Sequence, residues 1–221
     1  GEIIFGIILL VSAWRWHLML RLTGAGVHPA AAARLAVIGH ALNLLLLTPA
    51  LGDIAKSGLY SRWFRLPLAP IIAAAPLDRA LGLAGMGIFV AVAVIIAATH
   101  GALDIVKSVV DRIPPALLVT GLIAGLTGLT LVLFWKPRSG SVFARIFNAF
   151  ADALRQLLKT PRLALDGLLL GLTVQALTCL LMIVCLRAVI TVDVPWLAML
   201  WTFPVVAVVV AIPSVDGLGV R

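Results

Sequence analysis

Charge is scarce in this sequence. Only 12% of its 221 residues are Asp, Glu, Lys or Arg, where soluble domains usually carry about 25%. With so few charges, and with 62% of residues hydrophobic and a mean hydropathy of +1.16, a water-soluble fold is excluded, because no core of this size could hide that much apolar surface. A bilayer can, since lipid covers the outside. Cysteine is also scarce. Cys179 and Cys185 stand six apart and so do not share a helix face. No Cys/His cluster has metal-ligand spacing, and the two thiols read as small buried apolar side chains. There is no P-loop, no HExxH and no Ser/His/Asp order. No catalytic residue, metal or cofactor is therefore assigned. No module of interleaved aromatic and basic residues marks a nucleic-acid surface. The net charge of +8 belongs instead to orientation in a membrane, since the basic residues lie between apolar runs.

What is present is a series of long apolar segments. Residues 3–20 are long enough to span, with Arg15 and Arg21 near the end. Residues 30–47 are helical in composition but carry Arg34, His40 and Asn43. They are expected to break at Thr48-Pro49-Ala50-Leu51-Gly52-Asp53, where proline and glycine stand close together. Residues 54–66 are basic and amphipathic, which predicts an interfacial helix. Pro67, Pro70 and Pro76 punctuate the chain up to Asp78-Arg79, at the mouth of a span over about 80–98. A polar loop follows at 100–114, then a span at 116–135. The basic connection 136–162 comes next, with a surface helix over about 141–159. The last two apolar runs are 163–187 and 195–212, the latter broken at Pro213-Ser214-Val215-Asp216-Gly217. The fold class is all-α: a polytopic integral membrane protein with transmembrane, re-entrant and interfacial helices. It forms one transmembrane domain over 1–221, and further helices are expected beyond both ends.

Loop charge sets the sidedness. The 136–162 connection is cytoplasmic by the positive-inside rule. Counting spans back from it puts 100–114 outside and 53–79 inside. That agrees with the basic 54–65 helix only if segment 30–50 enters and leaves on one side, as a re-entrant hairpin.

The breaks at Pro49 and Pro213 are alike: a proline, two residues, then glycine and aspartate in either order. Interrupted apolar segments in corresponding halves point to a transporter site. A charge at the bilayer centre costs about 2.5–3.5 kcal/mol or more on insertion scales, so charges near such breaks are candidates for function. Asp53 and Asp78-Arg79 are best placed to line a polar cavity, and the blander role for Asp53 and Arg79 is an interhelical ion pair that locks packing. His17 and His28 read as solvated at an interface. His40 shares a face with Asn43, and Gln175 reads as a helix–helix hydrogen bond.

These stretches resemble a known family. Trp14-Arg15-Trp16, Asn43-x5-Pro49-x2-Gly52-Asp53-x8-Arg62, Asp78-Arg79-Ala80-Leu81-Gly82-Leu83 and Pro213-Ser214-x2-Gly217-Leu218-Gly219-Val220-Arg221 are similar to the transmembrane region of the lysylphosphatidylglycerol synthase family. That region is the flippase part of the multiple peptide resistance factor and its stand-alone relatives. Asp78 stands where the family often has Glu, Lys56 where it often has Arg, and Asp216 where it often has Gly. The resemblance implies a multi-pass protein of the bacterial inner membrane that moves a phospholipid, aminoacylated or not, or a related polar lipid between leaflets. It implies no aminoacyl-transferase activity, because that domain is not in this sequence. Asn43, Asp53, Lys56, Arg62, Asp78, Arg79, Asp216 and Arg221 are the expected lipid-binding residues. The expected partners are anionic or aminoacylated phospholipids, with a homo-oligomer or a lipid-synthesis protein as further candidates and no nucleic acid. The alternative is a membrane-embedded enzyme or accessory subunit in lipid, hopanoid or glycolipid biosynthesis, with Asp53 or Asp78 as general base.

Overall fold

A long apolar run without a breaker becomes a helix in lipid because every backbone group must be satisfied within the segment. The computed structural model follows that rule and describes residues 1–26, 28–45, 49–100, 127–128, 130–132, 134–137, 140–189, 199–200 and 203. The expected span at 116–135 lies largely outside the described residues. The run 195–212 does so for all but three positions, and the break at Pro213 does so wholly.

Helix α1 is Glu2–Leu22, with Glu2 in its first turn and Arg21 in its last, the signs that complement the helix dipole. It ends in a Schellman turn. Gly24 takes φ 77°, its N–H donates to the Arg21 carbonyl at 3.2 Å, and the Ala25 N–H reaches back to the Leu20 carbonyl at 2.8 Å. The chain then doubles into α2, Pro29–Leu45, and α3, Pro49–Phe64. Each opens on a proline, which suits the first helical position because its missing N–H would be unpaired there anyway. At 17 and 16 residues they rise about 24–26 Å, against the roughly 30 Å hydrocarbon core.

The two short helices form an antiparallel pair whose outer ends lie together. The Lys56 stem of α3 rests on Gly39 of α2. Tyr60 donates to the Ala25 carbonyl at 3.4 Å and meets Trp16 edge-on at 5.2 Å. One buried cluster joins Trp16 and Leu22 of α1 with Ala32 and Leu35 of α2 and Tyr60 of α3. The expected break therefore needs correcting at its C-terminal edge. Gly52 and Asp53 lie inside α3, because Pro49 starts a helix rather than stopping one. The inward stripe of α3 is Asp53, Lys56, Ser57 and Tyr60, at helical spacing, while Arg62, Trp63, Phe64 and Arg65 are exposed.

Helix α4, Leu68–Thr99, contains Pro70 and Pro76 without interruption. Pro70 falls in the first turn, where no carbonyl awaits its N–H. Asp78 and Arg79 are consequently well within a 32-residue helix, not at its mouth. Helix α5, Val142–Lys159, is capped by Ser141, whose hydroxyl accepts from the Ala144 N–H at 3.2 Å. Its buried side holds Ala144, Ala151 and Leu157 and packs on α4. Helix α6, Pro161–Val189, is the last long helix among the described residues. Among the described residues α1, α4 and α6 are long and apolar enough to cross a membrane.

Helices α4 and α6 cross on glycine, the arrangement that lets backbones approach closely in lipid. A Cβ placed on Gly85 would stand 2.6 Å from the Gly171 carbonyl carbon, and one on Gly167 would meet the Leu81 side chain at 2.7 Å. Gly87, one turn-face away, has nothing within 4 Å. Gly85→Leu is expected to lower stability by at least the ~1–3 kcal/mol typical of overpacking, since backbone cannot yield as a side chain can. Gly87→Leu should be close to neutral. Thermal melting in detergent, read by size-exclusion of the surviving fold, checks both.

Candidate functional site: an ion network between three helices

Charged side chains on α1, α3 and α4 meet inside the bundle. Arg15 lies seven residues before the end of α1, about 10 Å along the axis. It is held on Asp78 of α4 by two bonds: Nε to Oδ1 at 2.7 Å and Nη2 to Oδ2 at 3.0 Å. This fork-on-fork geometry is the strong form of a guanidinium–carboxylate pair. The Arg15 side chain is only 9% exposed. It lies along Gly82, where a Cβ would come 3.4 Å from Nη1, so a bulkier residue there would crowd it.

One residue further along α4, Arg79 turns to α3. Its Nη2 reaches Asp53 Oδ2 at 2.5 Å and its Nε the same oxygen at 3.1 Å. Asp53 also faces Lys56, at 3.5 Å. Lys56 Nζ in turn sits 4.3 Å from the centre of the Trp16 ring, a cation–π contact. The pairs differ in where they look. Arg79 is 53% exposed on its side chain, so it faces outward while Arg15 is enclosed. Gln175 of α6 donates to the Gly82 carbonyl at 3.4 Å, closing the same level of the bundle.

The network holds three cations and two carboxylates, an excess of one positive charge. It also holds buried donors without acceptors: Arg15 Nη1 and Trp16 Nε1 have no hydrogen-bond partner. A buried donor left unmade costs about 1–3 kcal/mol. Excess positive charge and spare donors suit an anionic or strongly accepting group, and the exposed Arg79 is where such a group would first make contact.

The structure thus brings Asp53, Lys56, Asp78 and Arg79 together. Arg62 stands nine residues beyond Asp53, about 14 Å along α3, exposed at the end of that helix. The side chain of Asn43, and Asp216 and Arg221 altogether, lie outside the described residues. His17 is buried, where solvation had been expected, because the α1–α2 turn folds over it. His40 meets the Phe5 ring at 5.4 Å. Cys179 is buried, and Cys185 is exposed. Arg15 and Trp16 were missed as site residues. The signal for them was Trp14-Arg15-Trp16, a basic residue between two aromatics inside an otherwise uncharged run.

The fold and network define a polytopic helical membrane protein with an ion cluster inside its bundle. The chain belongs to the family described as Lysylphosphatidylglycerol synthase TM region, which it matches over residues 3–221. That membership supports a lipid-related function in the membrane. No curated protein and no solved structure matches the chain.

Proposed function

We propose that this protein is a lipid flippase, moving a phospholipid, aminoacylated or not, or a related polar lipid between leaflets of a bacterial inner membrane. The observation that supports this best is the ion network of Arg15, Asp53, Lys56, Asp78 and Arg79, which joins the membrane-length helices α1 and α4 to the shorter α3. A bare ionised headgroup in hydrocarbon costs many kcal/mol. Exchanging ion pairs avoids that cost. The headgroup phosphate takes Arg79 as Asp53 releases it, and Asp53 falls back on Lys56 or on an amine of the headgroup. No charge is left bare, the acyl chains stay in lipid, and no covalent step is required. A liposome assay that follows headgroup movement of a fluorescent phospholipid tests it. Asp53→Ala and Arg79→Ala should abolish movement in folded protein; undiminished movement in both would remove the network from the pathway.

The α2–α3 pair is, in this reading, a re-entrant hairpin opening to the cytoplasm. Its outer ends carry His28 and Arg65, both exposed. With the native cysteines replaced, His28→Cys and Arg65→Cys should each react with a membrane-impermeant maleimide from the cytoplasmic side only. His100→Cys, at the far end of α4, should react from the other side. Labelling of Leu45→Cys, at the other end of α2, from the opposite face would make α2 and α3 two crossings rather than a re-entrant hairpin.

A further inference from the structure

Where α1 turns into α2 there is a second basic site, apart from the ion network. A cavity of about 490 Å³ is lined by His17, Arg21, Gly24, Gly26 and Pro29. His17 is two residues from Arg15, about 200° around the helix, so it serves a different face of α1. It is 6% exposed, and its Nδ1 is buried without a hydrogen-bond partner. Its ring is braced by Trp14 at 5.8 Å. The stem of Arg21 packs across Gly26, where a Cβ would stand 2.9 Å from Arg21 Cγ. The guanidinium itself is exposed and makes no ion pair among the described residues. Pro29 is the first residue of α2, so the positive end of a 17-residue helix borders the cavity. From Ile3 to Gly52 the sequence contains no carboxylate, so no acidic side chain from this stretch can neutralise the cavity.

We propose that this cavity binds a phosphate group, carried by a lipid headgroup at the cytoplasmic end of the bundle or free in solution. The planar fork of Arg21 matches paired phosphate oxygens. The dipole of α2 favours the same anion, although His28 already takes its first N–H groups, Ala30 through the ring Nδ1 at 3.3 Å and Ala31 and Ala32 through the carbonyl, and the His17 ring lines the same cavity.

The test uses the purified chain in phosphatidylcholine nanodiscs. One arm measures radiolabelled orthophosphate by equilibrium dialysis. The other measures, by native mass spectrometry, retention of added phosphatidylglycerol over phosphatidylcholine. Saturable binding is expected in at least one arm. Arg21→Gln and His17→Ala should each weaken it roughly tenfold or more, as expected when a charge-assisted hydrogen bond is removed. Binding in the first arm identifies the free anion; retention in the second alone identifies the headgroup. Binding lost in Arg79→Ala instead of in Arg21→Gln would assign it to the ion network and overturn the proposal. No binding in either arm, or binding that Arg21→Gln leaves undiminished, overturns the proposal. Arg21 is exposed, so its variant decides the matter even if His17→Ala fails to fold.

Discussion

Asp78→Ala is expected to destabilise the protein by about 3–5 kcal/mol, the range for removing one partner of a buried ion pair. Arg15 has nowhere else to turn. It is almost wholly enclosed, two of its nitrogens are committed to Asp78, and the third is already without an acceptor. Removing the carboxylate strands a full positive charge between α1 and α4. Arg15→Leu should be costly for the mirror reason, leaving Asp78 unpaired. Replacing both, Arg15→Leu with Asp78→Leu, should recover much of the loss, because a buried pair is often worth little more than apolar side chains of similar volume. Arg79→Ala offers the contrast. Its guanidinium is more than half exposed and Asp53 keeps Lys56, so the cost should stay within the ~0–1 kcal/mol of an exposed pair. Melting of all four proteins in one detergent reads the comparison. If Asp78→Ala melts with the wild type, the enclosed pair is not what joins α1 to α4.

Much of this fold was legible because membrane helices advertise themselves. The runs that became α1 and α6 are long, apolar and almost free of charge. The amphipathic stretch that became α5 announced its period. What misled was proline. Pro49, Pro70 and Pro76 read as stops, yet the first two sit where a helix needs no N–H, and Pro76 is carried within a long helix. Local sequence does not distinguish a proline that begins a helix from one that ends it unless the next turn is weighed as well.

The site was legible in part for a similar reason. Asp53 and Arg79 were readable as an ion pair because each is a charge at the edge of an apolar segment. Arg15 and Asp78 are 63 residues apart, and no spacing rule links them. Arg15 lies close enough to the end of its helix to pass for a side chain that snorkels to the interface. Only the packing of α1 against α4 shows that it points inward. Arg62 fits the family's spacing, and α3 carries it past the network to the exposed end of that helix.

Charge exchange between Asp53 and Arg79 separates a packing lock from a transport site. Asp53→Arg alone would gather like charges beside Lys56 and Arg79. Arg79→Asp alone would set two carboxylates against each other. Each should cut lipid movement by about tenfold or more, equivalent to at least ~1.4 kcal/mol, and lower the melting temperature as well. The double variant, Asp53→Arg with Arg79→Asp, restores an opposite-charge pair between α3 and α4, so melting should return toward the wild-type value. Transport should not return with it. In the native arrangement the more exposed member of the pair is a cation, and the carboxylate stands behind it, 18% exposed. The exchange turns a carboxylate outward, where it repels the phosphate that Arg79 is proposed to receive. A double variant that melts normally but leaves an anionic lipid in its own leaflet is therefore the expected result. If the double variant instead moves that lipid at the native rate, the pair only locks α3 to α4, and the lipid passes elsewhere.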